Sequence, residues 1–239
     1  MGHSEQTQAV MVVTGTSKGI GRGIAMYFLA KGYCVAGCSR GESTIVHDNY
    51  GHTLIDVSSE EQVRGWVRAI KKKFKRIDVL VCNAGYAPAN LLMSMTPSAV
   101  LTDLLKVNIA GSFYVCREAS KLMLLQRSGR IITISSMAVG LHEEGTAAYS
   151  ASKSAVVEMT KVMAKELAPA GITCNVLAPS MLMTGAVEVL GEDIIKRALN
   201  KLTIKRTVTI EEVCNVVEFY SGPDSSCITG QVIHMGLVC

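Results

Sequence analysis

The sequence predicts an α/β protein built on one doubly wound parallel sheet of about seven strands, with helices covering both faces. Short segments that are almost wholly apolar alternate with longer helical segments, and strands buried on both faces of a parallel sheet have that composition. A glycine-rich turn also stands between the first apolar segment and the first helical one. The 239 residues contain no linker or repeat, so we expect a single domain over residues 1–239, with residues 1–8 as a flexible N-terminus.

The elements can be justified in order along the chain. Residues 9–13 are an apolar strand that leads into the glycine turn and a helix over residues 20–31. "YCVAGC" (33–38) and "HTLIDV" (52–57) are the next strands, and two glutamates mark the first turn of the helix that follows. "RIDVLVCNAG" is a fourth strand leaving a tight turn, and a long helix spans residues 98–126. "RIITISS", a helix over residues 149–168, "GITCNVLAP", two further helical segments and the strand "GQVIHM" complete the order.

Composition and charge exclude several functional classes. The longest apolar runs are far shorter than the ~18 residues that span a bilayer, and no signal-peptide pattern opens the chain, so we expect a cytoplasmic protein without a membrane partner. The eight cysteines form no C-x-x-C pair, which favours buried free thiols over disulfides or a metal site. The formal charge is only +4, and "KKKFKR" is typical of a helix C-terminus, so no nucleic-acid partner is expected.

"VVTGTSKGIG" combines a strand end, a glycine-rich turn and a helix start. Gly15 permits the tight turn, Gly19 lets backbone approach a pyrophosphate, and Gly21 allows the helix to pack close to the sheet. The N–H groups at such a helix start, together with the helix dipole, bind phosphate. The spacing Gly-x-x-x-Gly-x-Gly differs from Gly-x-Gly-x-x-Gly, but its place after the first strand predicts a dinucleotide site.

The whole chain resembles the short-chain dehydrogenase/reductase family. The resemblance rests on "TGTSKGIG" (14–21), Asp56, "NAG" (83–85), Asn108, Ser136 and "YSASK" (149–153), which stand in the family's order. "RIITISS" and "ITGQVIHM" are most similar to the 3-oxoacyl-[acyl-carrier-protein] reductases within it. The resemblance implies a Rossmann fold, a nicotinamide cofactor and a homotetramer.

The end of the second strand bears on which cofactor binds. An acidic residue there would bond the ribose hydroxyls of NAD, but this chain has Ser39 and Arg40. The guanidinium fork of Arg40 suits a 2′-phosphate, and Lys18 in the glycine loop adds a second charge, so we predict NADPH (NADP⁺). The alternative is that Arg40 is a solvated loop residue and that Glu42 replaces the missing acid.

The resemblance extends the predicted cofactor site beyond the glycine loop. It assigns Asp56 to the adenine and the turn Asn83, Ala84 and Gly85 to the adenosine ribose. The remaining candidates for cofactor contact are Ser17, Ile20, Val57, Tyr149, Lys153, Pro179 and Thr184.

Tyr149 and Lys153 are four residues apart, so on a helix they share one face about 6 Å apart along the axis. A phenol has an ordinary pKa of ~10, and a neighbouring ammonium is expected to lower it toward the range useful for general acid–base catalysis. Ser136 ends the fifth strand, where its hydroxyl can bond a carbonyl oxygen that gains charge, whereas strand alternation points Ser135 the other way. By resemblance, Lys153 also binds the nicotinamide ribose and Asn108 holds a water that links Lys153 to solvent.

These residues predict NADPH-dependent reduction of a ketone to a secondary alcohol, with Asn108, Ser136, Tyr149 and Lys153 as the catalytic set and no metal. A 3-oxoacyl thioester on a carrier protein or CoA is the expected substrate. Departures such as Pro179-Ser180 in place of Pro-Gly leave a polyketide-type intermediate open. The alternatives are a dehydrogenase of a sugar, diol or cyclic alcohol, and a cofactor-binding protein without catalysis.

Substrate specificity is predicted in the segment after "APS", roughly residues 179–205, and at an apolar set comprising Met137, Met181, Leu182 and Met183, for which an ordinary core stripe is the alternative. The same region carries Lys196, Arg197, Lys201, Lys205 and Arg206, and Lys121, Arg127 and Arg130 could extend a basic surface. Such a surface would suit an acidic acyl carrier protein, with a solvated helix face as the alternative.

Overall fold

Seven strands of the computed structural model, which describes residues 8–182 and 192–238, lie in one sheet. They are β1 (Val10–Thr14), β2 (Cys34–Ser39), β3 (Tyr50–Leu54), β4 (Val79–Cys82), β5 (Gly129–Ile134), β6 (Ile172–Ala178) and β7 (Val232–His234). All neighbouring pairs are parallel, in the order β3-β2-β1-β4-β5-β6-β7. From β1 the strand order continues outward through β2 and β3, and from β4 it continues in the opposite direction through β5, β6 and β7. The gap beyond the C-terminal ends of β1 and β4 is therefore the topological switch point, where ligands bind in such sheets.

The helices cover both faces of this sheet. They are α1 (Gly19–Ala30), α2 (Glu60–Phe74), α3 (Ser98–Leu104), α4 (Ser112–Gln126), α5 (Ala138–Leu141), α6 (Ala147–Leu167), α7 (Glu192–Asn200) and α8 (Ile210–Ser221), with a π-helical segment, Leu105–Gly111, between α3 and α4. One core contains buried residues of α2, α4 and α6, and the second contains those of α1 and α8.

Alternation along the central strands supplies both cores. On β1, Val12 belongs to the core under α2 and α4, whereas Met11 and Val13 belong to the core under α1 and α8. On β4, Leu80 and Val81 divide in the same way. Successive side chains of a strand point to opposite faces, so a strand between two helix layers must be apolar throughout. This confirms the predicted α/β class.

The third strand begins and ends earlier than predicted. It covers Tyr50–Leu54 rather than residues 52–57, and Ile55 makes the last bond to β2, from its N–H to the Ser39 carbonyl oxygen (3.1 Å). The chain then turns because the Asp56 carboxylate accepts hydrogen bonds from the Ser58 N–H (2.9 Å) and hydroxyl (2.8 Å). Asp56 and Val57 thus lie in a turn rather than in a strand.

The predicted long helix is present as the continuous run Ser98–Gln126, but its middle is π-helical. By length and composition alone this run is long and apolar enough to cross a bilayer, a test that core helices of globular proteins also pass. Here Val115, Ala119 and Met123 of α4 pack into the core against the sheet. The seven cysteines within the described residues are free thiols, five of them buried.

Candidate active site

The glycine loop closes over the C-terminal end of β1. The N–H groups of Gly15 and Thr16 both donate to the Cys38 carbonyl oxygen (2.7 and 3.1 Å), which ties the loop to β2. Gly15 adopts φ +79°, a conformation that L side chains rarely adopt. A Cβ on Gly21 would overlap the Gly15 carbonyl oxygen and lie 2.5 Å from Asn83 Nδ2. Glycine at position 21 therefore lets α1 approach the sheet, as predicted.

The turn after β4 is fixed by a residue that the sequence did not single out. Thr14 Oγ1 accepts hydrogen bonds from the N–H groups of Asn83 (3.0 Å) and Ala84 (2.9 Å), while Asn83 Nδ2 donates to the Thr14 carbonyl oxygen (2.8 Å). These bonds hold the end of β1 and the turn together at the switch point. The Asn83 side chain thus links the end of β1 to the turn after β4 through a hydrogen bond to the backbone.

A cleft of about 700 Å³ opens at this switch point. It is lined by Gly15, Ser17, Lys18, Gly19, Ile20, Ser39, Arg40, Gly41, Ile55, Asp56, Val57, Asn83, Ala84, Gly85 and Val107. The structure therefore brings together most of the residues that the sequence predicts for the cofactor. Gly41, Ile55 and Val107 were missed, because only tertiary structure places them beside the glycine loop. Thr184 and Met183 lie outside the described residues.

Asn108 lies in the π-helical segment and is fully buried. Its Oδ1 accepts from the Tyr86 N–H (2.7 Å), and its Nδ2 donates to the Tyr86 carbonyl oxygen (3.0 Å) and to Ser152 Oγ (2.9 Å). One amide thus clamps the chain after β4 to α6. π-Turns within helices commonly occur at functional sites. The water-holding role implied by the resemblance stays a prediction.

Lys153 is buried on α6, and its ammonium donates to the Ile134 carbonyl oxygen (2.9 Å) at the end of β5. Burial lowers the pKa of Lys153 to about 8, because the charged form is desolvated. A Cβ on Gly85 would lie 3.2 Å from Lys153 Nζ and 3.3 Å from Asn108 Oδ1. The missing side chain at position 85 thus lets both groups reach the edge of the cleft.

The pKa of Tyr149 differs from the expectation. The sequence predicts that Lys153 lowers it, whereas burial of the phenol raises the pKa of Tyr149, opposed by a hydrogen bond from the Ser136 side chain. Desolvation is the largest influence on the phenol, and the Lys153 ammonium donates to the Ile134 carbonyl oxygen. Ser135, by contrast, donates to the Lys153 carbonyl oxygen (3.3 Å) and is buried, so Ser136 is the serine directed at Tyr149, as alternation predicts.

The chain that follows β6 frames the same site. The Met137 N–H donates to the Pro179 carbonyl oxygen (3.0 Å), and the Ser135 N–H donates to that of Leu177 (2.8 Å). A small cavity also touches Tyr149 and is bounded by the loop after β4, at Pro88, Asn90 and Leu91 among others. Tyr149 therefore lines this small cavity and is not among the residues that line the cofactor cleft.

The basic surface predicted around α7 is partly neutralised. Lys201 Nζ pairs with Glu143 (2.6 Å), and Arg206 forms a two-armed ion pair with Glu212 (2.5 and 2.9 Å). Lys121 pairs with Glu118 (2.7 Å). Fewer cations are therefore available to an acidic partner than the sequence suggests.

A family model and a curated relative each match most of this chain. Residues 15–236 match a family model described as enoyl-(acyl carrier protein) reductase. The 3-oxoacyl-[acyl-carrier-protein] reductase FabG of Staphylococcus aureus is 32% identical over 234 residues, covering 94% of this chain and 95% of that protein.

Solved structures give the same grouping. ElxO with NADP bound is 28% identical with a TM-score of 0.90, covering 95% of this chain and 97% of that one. An actinorhodin polyketide ketoreductase with NADPH is 30% identical with a TM-score of 0.87 and 95% coverage of both chains. A xylitol dehydrogenase bound to NAD⁺ is 28% identical with a TM-score of 0.88, covering 97% and 99%.

Fold, cleft and relatives together define an oxidoreductase of the Rossmann class. Within that class, the chain belongs to the short-chain dehydrogenase/reductase family.

Proposed function

We propose that this protein reduces a ketone to a secondary alcohol with NADPH, and that the ketone is a 3-oxoacyl thioester. The observation that carries the proposal is the convergence of Tyr149, Ser136 and Lys153 at the sheet edge beside the cleft. The names of the relatives, two of them keto-group reductases acting in acyl or polyketide chemistry, support the same reaction.

The cleft fits a dinucleotide on its own geometry. It begins at the N-terminus of α1, where free N–H groups and the helix dipole favour a diphosphate, and Gly21 keeps that helix close to the sheet. Lys18 and Arg40 line it, and Ser39 ends β2 where an NAD-binding chain would carry an acid. This charge pattern supports NADPH over NADH.

When bound, NADPH supplies the hydride. The residues proposed to hold it are Gly15, Ser17, Lys18, Gly19, Ile20 and Gly21 at the diphosphate, Ser39 and Arg40 at the 2′-phosphate, Asp56 and Val57 at the adenine, Asn83, Ala84 and Gly85 at the ribose, and Tyr149, Lys153, Pro179 and Thr184 at the nicotinamide half.

The protein's part in the chemistry is proton transfer and orientation. Tyr149 Oη donates a proton to the carbonyl oxygen, and the raised pKa keeps that proton in place until it is needed. Ser136 orients the carbonyl by a hydrogen bond to the oxygen that gains charge. Lys153, with its pKa of about 8, can release a proton that restores the phenol of Tyr149. Asn108 positions the neighbouring backbone by its hydrogen bonds to Tyr86 and Ser152.

The substrate's carrier and the protein's assembly are part of the proposal. We place the reaction in the cytoplasm, with an acidic acyl carrier protein or CoA carrying the substrate and four chains forming the enzyme. The exposed lysines on α7 and just after it, Lys196, Lys201 and Lys205, support an acidic partner, and the ion pairs of Lys201 and Arg206 limit the strength of that interaction.

A substrate panel tests the reaction. We expect purified protein to reduce an acetoacetyl thioester much faster with NADPH than with NADH. With NADPH, it should reduce that thioester much faster than a 2-enoyl thioester or simple cyclic ketones. Because the chain is similar to a xylitol dehydrogenase bound to NAD⁺, the panel also includes polyols with NAD⁺ as the main alternative substrates. Faster turnover of a polyol with NAD⁺ would replace the thioester assignment.

Tyr149→Phe tests the catalytic role. The variant lacks only the proton donor, so kcat should fall at least about 100-fold, the scale of general acid catalysis, while cofactor affinity stays within about threefold. Tyr114→Phe, on α4 and away from the cleft, is the matched control and should keep full activity. Undiminished turnover in Tyr149→Phe would refute the mechanism.

A further inference from the structure

The segment between β2 and β3 is held by a side-chain network instead of a helix. Residues 40–49 contain no helical residue, and β3 starts at Tyr50. Tyr50 Oη lies within hydrogen-bond distance of Thr16 Oγ1 (2.8 Å) and Ser43 Oγ (3.2 Å), and Arg22 Nε donates to Thr44 Oγ1 (3.1 Å). These bonds anchor the short segment to the glycine loop and to α1.

His52 stands at the centre of this network. Its Nε2 lies 3.1 Å from Ser39 Oγ and 3.0 Å from the Gly41 carbonyl oxygen, and its Nδ1 lies 2.9 Å from Tyr50 Oη and 3.2 Å from Thr16 Oγ1. A carbonyl oxygen can only accept, so Nε2 carries a proton and donates. The ring thus connects the end of β2 to the glycine loop through one imidazole.

The backbone of β2 is adapted to this arrangement. Gly37 pairs with His52 in the sheet register. A Cβ at Gly37 would lie 2.5 Å from both Thr16 Oγ1 and Tyr50 Oη. Only a residue without a side chain at position 37 therefore leaves room for the phenol to reach the hydroxyl of Thr16.

The two groups that His52 holds, Ser39 and Gly41, flank Arg40, and all three line the cofactor cleft. His52 itself lies behind them on β3. We propose that His52 is a positioning residue for recognition of the 2′-phosphate of the cofactor, holding Ser39 and Gly41 so that Arg40 faces that group. This inference rests on the NADPH assignment above.

Equilibrium binding separates this inference from catalysis. Dissociation constants of NADP⁺ and NAD⁺ would be measured by calorimetry for the wild type, His52→Gln and His52→Ala. We expect both variants to lose about tenfold in NADP⁺ affinity, the scale of a charge-assisted hydrogen bond, with NAD⁺ affinity changed less than about twofold.

His47→Gln, a histidine of the same segment that accepts from the Asn49 N–H, is the matched control and should keep both affinities. Thermal unfolding of each variant checks that it is folded. Tyr50→Phe keeps the aromatic ring at position 50 but removes its hydroxyl, so it should lose part of the preference for NADP⁺ over NAD⁺. Equal losses for NADP⁺ and NAD⁺, or no loss for NADP⁺, would overturn the role of His52. A wild type that binds NAD⁺ more tightly would overturn the NADPH assignment instead.

Discussion

Tyr149 and Lys153 are both buried enough that desolvation dominates their pKa values. Each group is therefore shifted toward its neutral form, so the phenol holds its proton and the ammonium releases one more readily. A proton donor in a reduction must be protonated before the reaction, and a neighbour with a pKa of about 8 can restore it. Burial of this pair thus fits the reductive direction.

A buried ammonium destabilises the fold, which yields a prediction for Lys153→Met. The pKa shift from 10.5 to about 8 means that burial of the charge destabilises the fold by about 3 kcal/mol. Substitution by Met removes that cost but also loses the hydrogen bond to the Ile134 carbonyl oxygen, which contributes about 1 kcal/mol. The cofactor-free variant should therefore be more stable by roughly 1–3 kcal/mol at pH 7 and catalytically inactive. Urea unfolding measures this, and a destabilised variant would contradict it.

The pH dependence has a definite sign. The folded pKa of Lys153 lies below its unfolded value, so between about pH 8 and 10.5 the unfolded chain binds more protons and stability rises with pH. The difference in unfolding free energy between wild type and Lys153→Met should shrink across that window. Other groups that titrate there are shared by both proteins and cancel in the difference.

At the scale of elements, the glycine loop shows why one glycine differs from another. Gly21 sits where α1 touches the Gly15 carbonyl oxygen, whereas Gly65 lies exposed in the middle of α2 with open space around its Cα. A methyl group at position 21 must displace backbone, but at position 65 it only restricts the unfolded chain.

The two substitutions to alanine should therefore have opposite signs. We expect Gly21→Ala to lower stability by about 3 kcal/mol and to weaken cofactor binding, since α1 must move away from the loop. Gly65→Ala should raise stability by about 0.5–1 kcal/mol and leave binding unchanged. Thermal unfolding and NADP⁺ titration check both, and a tolerated Gly21→Ala would show that the close approach of α1 is not required.

The helical run Ser98–Gln126 shows where sequence reading stops at this scale. Its length was predicted, but its π-helical middle was not, because the pattern of apolar residues does not reveal one extra residue per turn. The signal that was available is Asn108, a poor helix former within the run. Its amide is hydrogen-bonded to Tyr86 and Ser152, contacts that only the folded structure supplies.

At the scale of the whole molecule, large apolar side chains of α4 and α6 remain exposed in the single chain. Phe113, Leu124 and Leu125 on α4 and Val162 on α6 are between 43% and 74% exposed. Exposed apolar surface of this kind is typical of protein interfaces. It supports the proposed tetramer of four identical chains.

Light scattering after size-exclusion chromatography tests the assembly. The wild type should elute as four chains, and Val162→Glu should give smaller species because a carboxylate would be buried at the contact. Ala69→Glu, which also replaces an exposed apolar residue by a carboxylate but lies on α2, is the control for a general effect of charge. A monomeric wild type would refute the tetramer.

Most of the fold and most of the residues that line the cleft were predicted from the sequence, since apolar strands and glycine turns are local patterns. The third strand was placed two residues late because Asp56 looks continuous with "HTLI", and only its bonds to Ser58 show the turn. Thr14 and His52 were not predicted as structural centres because each has a partner distant in sequence, Asn83 at 69 residues from Thr14 and Thr16 at 36 residues from His52.

The order of residues by itself determined the α/β class, the glycine loop and the set of polar side chains at the sheet edge, because each depends on neighbours within one or two turns of chain. Tertiary structure decided the pKa values of Tyr149 and Lys153, the clamp of Asn108 and the network around His52. Those depend on burial and on contacts between distant segments, and desolvation is a property of the folded environment rather than of spacing.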